Sequence, residues 1–175
     1  AQAELEDREQ PSAYHQLRFK GGLNKEDIVI DTTRPELLPA CVALVAHPND
    51  ERYAGLLGTT ATTPIFGVEV PILGHPLADP EKGTGIAMVC TFGDTTDVTW
   101  WRELELPVRA VVDRTGRIVS EVPEAIVSAE GIAAFARMAE KTVFSAKKEI
   151  VEMLQSSGDM IGEPRPVTHA VKFFE

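Results

Sequence analysis

Between residues 14 and 113 the apolar residues come in short runs, each closed by glycine, proline or a polar turn before a long helix could use it. Residues 14–20 place His15, Leu17 and Phe19 on one face at period two, and a β-branched run resumes at 28–31 after the Gly21-Gly22 break. Residues 42–46, 59–63, 68–73, 86–91 and 108–113 read the same way, with Pro64 and Gly67 marking one turn and Arg114-Thr115-Gly116 another. So many short strands would leave unpaired edges in an open sheet, and a closed or partly closed barrel removes them.

Helical signals are fewer. Residues 35–40 fit one turn, with Pro35 tolerated at its first position. Residues 49–57 read as a short helix ended by Gly58, and 94–104 as another with Val98, Trp101 and Leu104 on one face. The last third changes character. Residues 129–139 are alanine-rich, and 142–155 carry Val143, Ala146, Ile150, Val151 and Leu154 at helical spacing before Gly158. Pro164 and Pro166 then lead into an alternating run at 167–174, read as a final strand. The expectation is an α+β domain centred on a β-barrel with peripheral helices. A chain of 175 residues fits a single domain, 1–175, that hides roughly 70% of its unfolded surface.

The charge narrows the function classes. A formal net charge of −10 argues against a protein that grips nucleic acid through a generally basic surface, so any such contact must be local. Arg8, Arg18, Lys20, Lys25, Lys141, Lys147 and Lys148 could form a small basic patch, and a solvated helix face explains the lysines equally well. No apolar run approaches the roughly 20 residues of a bilayer span, so no membrane partner is expected. Residues 1–10 lack the basic and apolar regions of a signal peptide, which makes a cytoplasmic location the expectation. Cys41 and Cys90 fit no ligand spacing and read as buried small hydrophobes, and the four histidines are scattered singly. No metal and no cofactor is expected. Gly83-Thr84-Gly85 lacks the third glycine of a dinucleotide fingerprint because position 88 is Met88, and no phosphate loop for ATP is present.

Two stretches carry more chemistry. Asp31-Thr32-Thr33-Arg34-Pro35 sits at a strand end and packs two hydroxyls and a guanidinium into one corner, which suits a small polar ligand. An ordinary strand-to-helix junction, with Thr33 as a cap and Arg34 in a surface ion pair, accounts for it as well. Asp94-Thr95-Thr96-Asp97 fits either a capped helix start or two carboxylates at the mouth of a pocket, one holding an ammonium group and the other a hydroxyl.

Resemblance separates these readings. Asp31-Thr32-Thr33-Arg34-Pro35-Glu36, His47-Pro48-Asn49-Asp50-Glu51-Arg52-Tyr53, Asp79-Pro80-Glu81-Lys82-Gly83-Thr84-Gly85 and Gly93-Asp94-Thr95-Thr96-Asp97 follow one another in this order. In order and spacing they resemble the connective-peptide editing domain of class I aminoacyl-tRNA synthetases. Residues 32–107 look most like the valyl branch, and looser similarity extends over nearly the whole chain. The resemblance implies a barrel-centred domain whose pocket receives the aminoacylated 3′ end of tRNA(Val). It further implies an insert of a larger synthetase, with the rest of that enzyme as its partner. In keeping with this, both ends of the chain look cut.

On the matching positions Thr32 and Thr33 would line the pocket beside Glu36, Arg34 would face the terminal adenosine or its phosphate, and Asp97 would hold the amino group of the misattached amino acid. Asp94 would read the hydroxyl of threonine. Leu37, Lys82, Met88 and Cys90 stand where many bacterial valyl enzymes carry threonine, an aromatic residue, lysine and threonine around the side-chain pocket. The implied chemistry is water attack on an ester, which needs orientation and polarisation more than a protein nucleophile. An isoleucyl-type editing domain, a non-catalytic tRNA-docking module and a small-ligand-binding barrel are the alternatives.

Overall fold

The structure is a computed structural model that describes residues 13–21, 26–90, 100 and 102–167. Its seven strands are β1 (Ala13–Gly21), β2 (Asp27–Thr32), β3 (Cys41–Ala46), β4 (Thr60–Thr62), β5 (Glu69–Gly74), β6 (Ile86–Cys90) and β7 (Arg165–Pro166). They form one sheet in the order β2-β1-β4-β5-β3-β6, with β7 also on β1. Among the described pairs only β3 and β5 run parallel, and the others are antiparallel. The two end strands of this order, β2 and β6, also touch, so the mixed sheet nearly closes into a barrel.

Period-two patterning puts the same residues inside that the sequence suggests. Leu17 lies opposite Ile30 and Phe19 opposite Ile28, all buried, while Arg18 and Lys20 face outward and pair with Asp27. Strand β3 is buried along its whole length, because it serves two cores. Cys41, Leu44 and Ala46 join the main core, whereas Val42, Ala43 and Val45 pack with Ala78, Val89, Trp100 and Leu106. A bulge between Cys41 and Ala43 lets the consecutive Val42 and Ala43 point the same way.

Two helices, α1 (Ala129–Met138) and α2 (Val143–Ser157), cover one side of the barrel. Phe135, Met138, Ile150 and Leu154 insert into the main core. Ser128 caps α1 by accepting from the Gly131 N–H, and Thr142 caps α2 by accepting from the Ser145 N–H. Gly158 ends α2 in the left-handed region, with φ 83°.

Two expectations change. Residues 49–57 form turns and a single 3-10 segment, Ala54–Leu56, instead of a helix. The Asp50 carboxylate accepts from the Arg52 N–H and guanidinium, and the Tyr53 hydroxyl reaches the Thr84 carbonyl, so side chains compete with the helical ladder. Residues 108–113 give only the bridge Val112 to Ile118, since Asp113 folds the chain back through the Thr115 and Arg117 N–H groups and Val108 is left exposed. Most of the run read as a final strand, from 168 onward, lies outside the described residues; β7 pairs with β1 just before it. So do Asp94 and Asp97, and the helix predicted over 94–104 is described only at Trp100 and from Arg102.

Candidate functional site

Strand β2 ends at Thr32, opposite His15 of β1, and the chain turns at once into the 3-10 helix Pro35–Ala40. Pro35 and Pro39 donate no backbone hydrogen bond here, so side chains share in holding the corner. The Thr32 hydroxyl takes up part of the task by accepting from the Arg34 N–H at 3.0 Å. Thr32 therefore fills the role that capping arguments give to Thr33, and Arg34 occupies the N-cap position without a side-chain cap. Arg34 is 46% exposed along its side chain, and its Nε lies 4.0 Å from Glu36 Oε2. Leu37 is buried, and its carbonyl accepts from the Cys90 thiol at 3.4 Å. Two sequence-distant stretches thus meet where β6 ends.

A side-chain bracket braces this corner from the other side. Arg52 holds Asp50 through two hydrogen bonds, at 3.0 and 2.7 Å, and donates to the Pro80 carbonyl at 2.8 Å. Thr84 donates to the Val29 carbonyl at 2.7 Å, which pins the 79–85 loop to β2. Gly83 packs against the Asp31 side chain, while Lys82 beside it is exposed. Asp31 is itself held by Gln16 at 3.1 Å and Arg165 at 2.8 Å. The motifs at 47–53 and 79–85 are therefore bracing for β2. Met88, half-buried on β6 opposite Leu44, shares a strand face with Cys90.

Gly85 shows how tightly the bracket closes. Its φ is +88°, and a Cβ there would stand 3.0 Å from the Pro80 carbonyl oxygen and 3.1 Å from Asp50 Oδ2. Gly85→Ala is expected to cost about 1–3 kcal/mol, read from urea denaturation.

The electrostatics of the corner centre on Glu36, whose side chain is 5% exposed. Burial raises its carboxyl above the ordinary 4.5, opposed by the fields of Lys147 and Arg34. Lys147 reaches in from α2, 4.0 Å from Glu36 Oε1 and donating to the Thr33 carbonyl at 3.3 Å. His15 is buried too, and burial followed by the Lys147 charge lowers its pKa. Because Glu36 keeps its proton to higher pH in the folded state, the folded chain binds more protons there and stability falls as pH rises above 4.5 toward that raised value. Glu36→Gln removes that contribution. Urea melts across this pH range should show a shallower fall for the variant than for the unaltered chain.

Lys147 and His15 are the corner residues that sequence reasoning missed. Lys147 is 114 positions from Thr33, and nothing in helical spacing announces a contact at that distance. Among the described residues no helix is long and apolar enough to cross a membrane, and no group of three or more His, Cys, Asp or Glu could hold a metal ion.

Solved structures share this architecture. The LeuRS of Agrobacterium radiobacter K84, in a ternary complex with tRNA and LeuAMS, matches with a TM-score of 0.61 at 16% identity, over 94% of this chain and 22% of that one. GlLeuRS-CP1 matches with a TM-score of 0.61 at 12% identity, over 85% of this chain and 98% of that one. At such identities the likeness speaks for fold, and the fold is that of the connective-peptide editing domain of class I synthetases.

Sequence relatives place the chain within that class. It is 66% identical over 175 residues to the valine–tRNA ligase of Leifsonia xyli subsp. xyli, covering all of this chain and 20% of that protein. The valine–tRNA ligases of Thermobifida fusca and Salinispora tropica match at 66% and 59% identity, again over 100% of this chain and 20% of theirs. Over its whole length the chain is similar to valine–tRNA ligases, and it spans about a fifth of the length of these relatives. No protein-family model matches it.

Proposed function

We propose that the chain is the editing unit of a valine–tRNA ligase, a single domain that hydrolyses the ester of mischarged tRNA(Val), Thr-tRNA(Val) above all. The observation that carries this reading is the meeting of Leu37 and Cys90. It brings the Thr32-Thr33-Arg34 corner next to the point from which the chain runs on to Asp94 and Asp97. Arg34 then faces the terminal adenosine or its phosphate, Asp97 holds the ammonium group, and Asp94 accepts from the threonine hydroxyl. A water oriented in this corner, helped by the ribose hydroxyl of the substrate, attacks the ester carbonyl.

The choice of threonine follows from pocket physics. Valine-specific synthetases are themselves the standing example, and their magnitude is taken as known: a hydrophobic pocket for valine rejects the isosteric threonine only about a hundredfold, so a second site must remove the errors. That second site can exclude valine by leaving the acceptor assigned to the threonine hydroxyl, Asp94, without its partner. The partners of the unit are the aminoacylated 3′ end of tRNA(Val) and the remainder of the synthetase.

The test is deacylation by the purified chain, with Thr-tRNA(Val) and Val-tRNA(Val) as parallel substrates and no other part of a synthetase present. Threonine released faster than valine supports the reading. Binding of tRNA without hydrolysis of either ester would make the chain a docking module instead.

A further inference from the structure

Lys147 reaches the corner from α2. Its Nζ donates to the Thr33 carbonyl at 3.3 Å and lies 4.0 Å from the buried Glu36 Oε1, which has no hydrogen-bond partner among the described residues. The corner needs such outside support. Two of the six residues in the 3-10 helix are prolines, which donate no backbone hydrogen bond, and its N-cap has no side-chain cap. The flanking positions on α2 are fixed, since Ala146 and Ile150 are fully buried in the main core. Lys147 therefore extends from a rigid base to a proline-containing turn that has no side-chain cap, and it binds the carbonyl of Thr33, the neighbour of Arg34.

We propose that Lys147 is a positioning residue for ester hydrolysis: it ties Thr33 and Glu36 to α2 and so fixes where Thr32, Thr33 and Arg34 meet the aminoacylated end of tRNA. The proposal rests on the editing reading above. Its physical content is a coupled trio. The Glu36 carboxylate is flanked by Arg34 from its own segment and by Lys147 from α2, and Lys147 also faces His15 from β1. Withdrawing the lysine charge leaves the buried carboxylate with one cation fewer, so Glu36 takes up its proton at higher pH, and Thr33 loses its donor.

Lys147→Met and Lys147→Arg in the full chain test this, assayed on Thr-tRNA(Val) below the melting temperature of each variant. Lys147→Met should lower kcat about ten- to a hundredfold, the cost of a misplacement near an ångström, with KM changed less, and Lys147→Arg should recover most of the loss. A ¹³C titration of the Glu36 carboxyl should show its midpoint raised in Lys147→Met, and the acid limb of the rate profile should move with it. A role in folding alone would lower the melting temperature without moving that limb. A Glu36 midpoint unmoved by Lys147→Met, or an unchanged kcat, overturns the proposal. A chain without any substitution that leaves Thr-tRNA(Val) intact defeats the editing reading instead, whereas hydrolysis equally fast with and without Lys147 defeats only the role given to this residue.

Discussion

Asp97→Ala is expected to slow hydrolysis of every mischarged tRNA by roughly ten- to more than a hundredfold. The substitution removes a charge-assisted contact to the ammonium group, worth about 1.5–3 kcal/mol, and every aminoacyl ester carries that group. Asp94→Ala should behave differently, since the hydroxyl it is assigned to read belongs to threonine and not to valine. Removal of threonine slows, slow hydrolysis of other small esters is less affected, and the gap between Thr-tRNA(Val) and Val-tRNA(Val) narrows. Helix capping is the competing account of both acids, and it predicts a stability loss of up to about 2 kcal/mol with no kinetic contrast. Melting curves recorded beside the kinetics separate the two. If both variants melt early yet deacylate Thr-tRNA(Val) at the original rate while folded, the acids are caps.

Much of the barrel was legible because its strands obey a local rule. The alternation of Leu17 and Phe19 against polar neighbours states which face is buried, whatever lies opposite. The same rule misleads at 108–113, where among the described residues only the bridge Val112 to Ile118 forms and Val108 is left exposed. It misleads again at 49–57, where the Asp50–Arg52 pair and the Tyr53–Thr84 bond, both side-chain events, replace a helix. Site residues divide in the same way. Thr32, Thr33 and Arg34 could be singled out because a strand end gathers them within three positions. The bond between Cys90 and Leu37, and that between Lys147 and Thr33, arise only when distant segments are folded together. No spacing rule reaches across 53 or 114 positions. The motifs at 47–53 and 79–85 are the converse case. They are conspicuous in sequence, yet the structure uses their side chains to brace β2.

Phe135→Ala is expected to cost the fold about 3–5 kcal/mol, the usual range for deleting a buried ring from a packed core. Phe135 is 1% exposed and lies with Met138, Ile150 and Leu154 in the layer that joins both helices to the barrel. For a domain of this length each kcal/mol lowers the melting temperature by about 2–4 °C, so a fall of roughly 6–20 °C is anticipated in a calorimetric scan. The loss should be larger than that from Gly85→Ala, because a cavity forfeits both transfer energy and contacts, whereas the Gly85 bracket lies nearer the surface and its neighbours can shift. The variant also separates two roles of α2. That helix carries Lys147 to the Thr33 corner, so its seat on the barrel governs the corner as well as stability. If the seat is a rigid platform, the folded fraction of Phe135→Ala deacylates at nearly the original rate well below its melting temperature. A rate that instead falls several-fold while circular dichroism still reports full helix content means that α2 shifts by enough to move Lys147 before it unfolds. A destabilisation under about 1 kcal/mol with an unchanged rate would contradict the packing itself, since it would show the helices to be weakly attached to the barrel core.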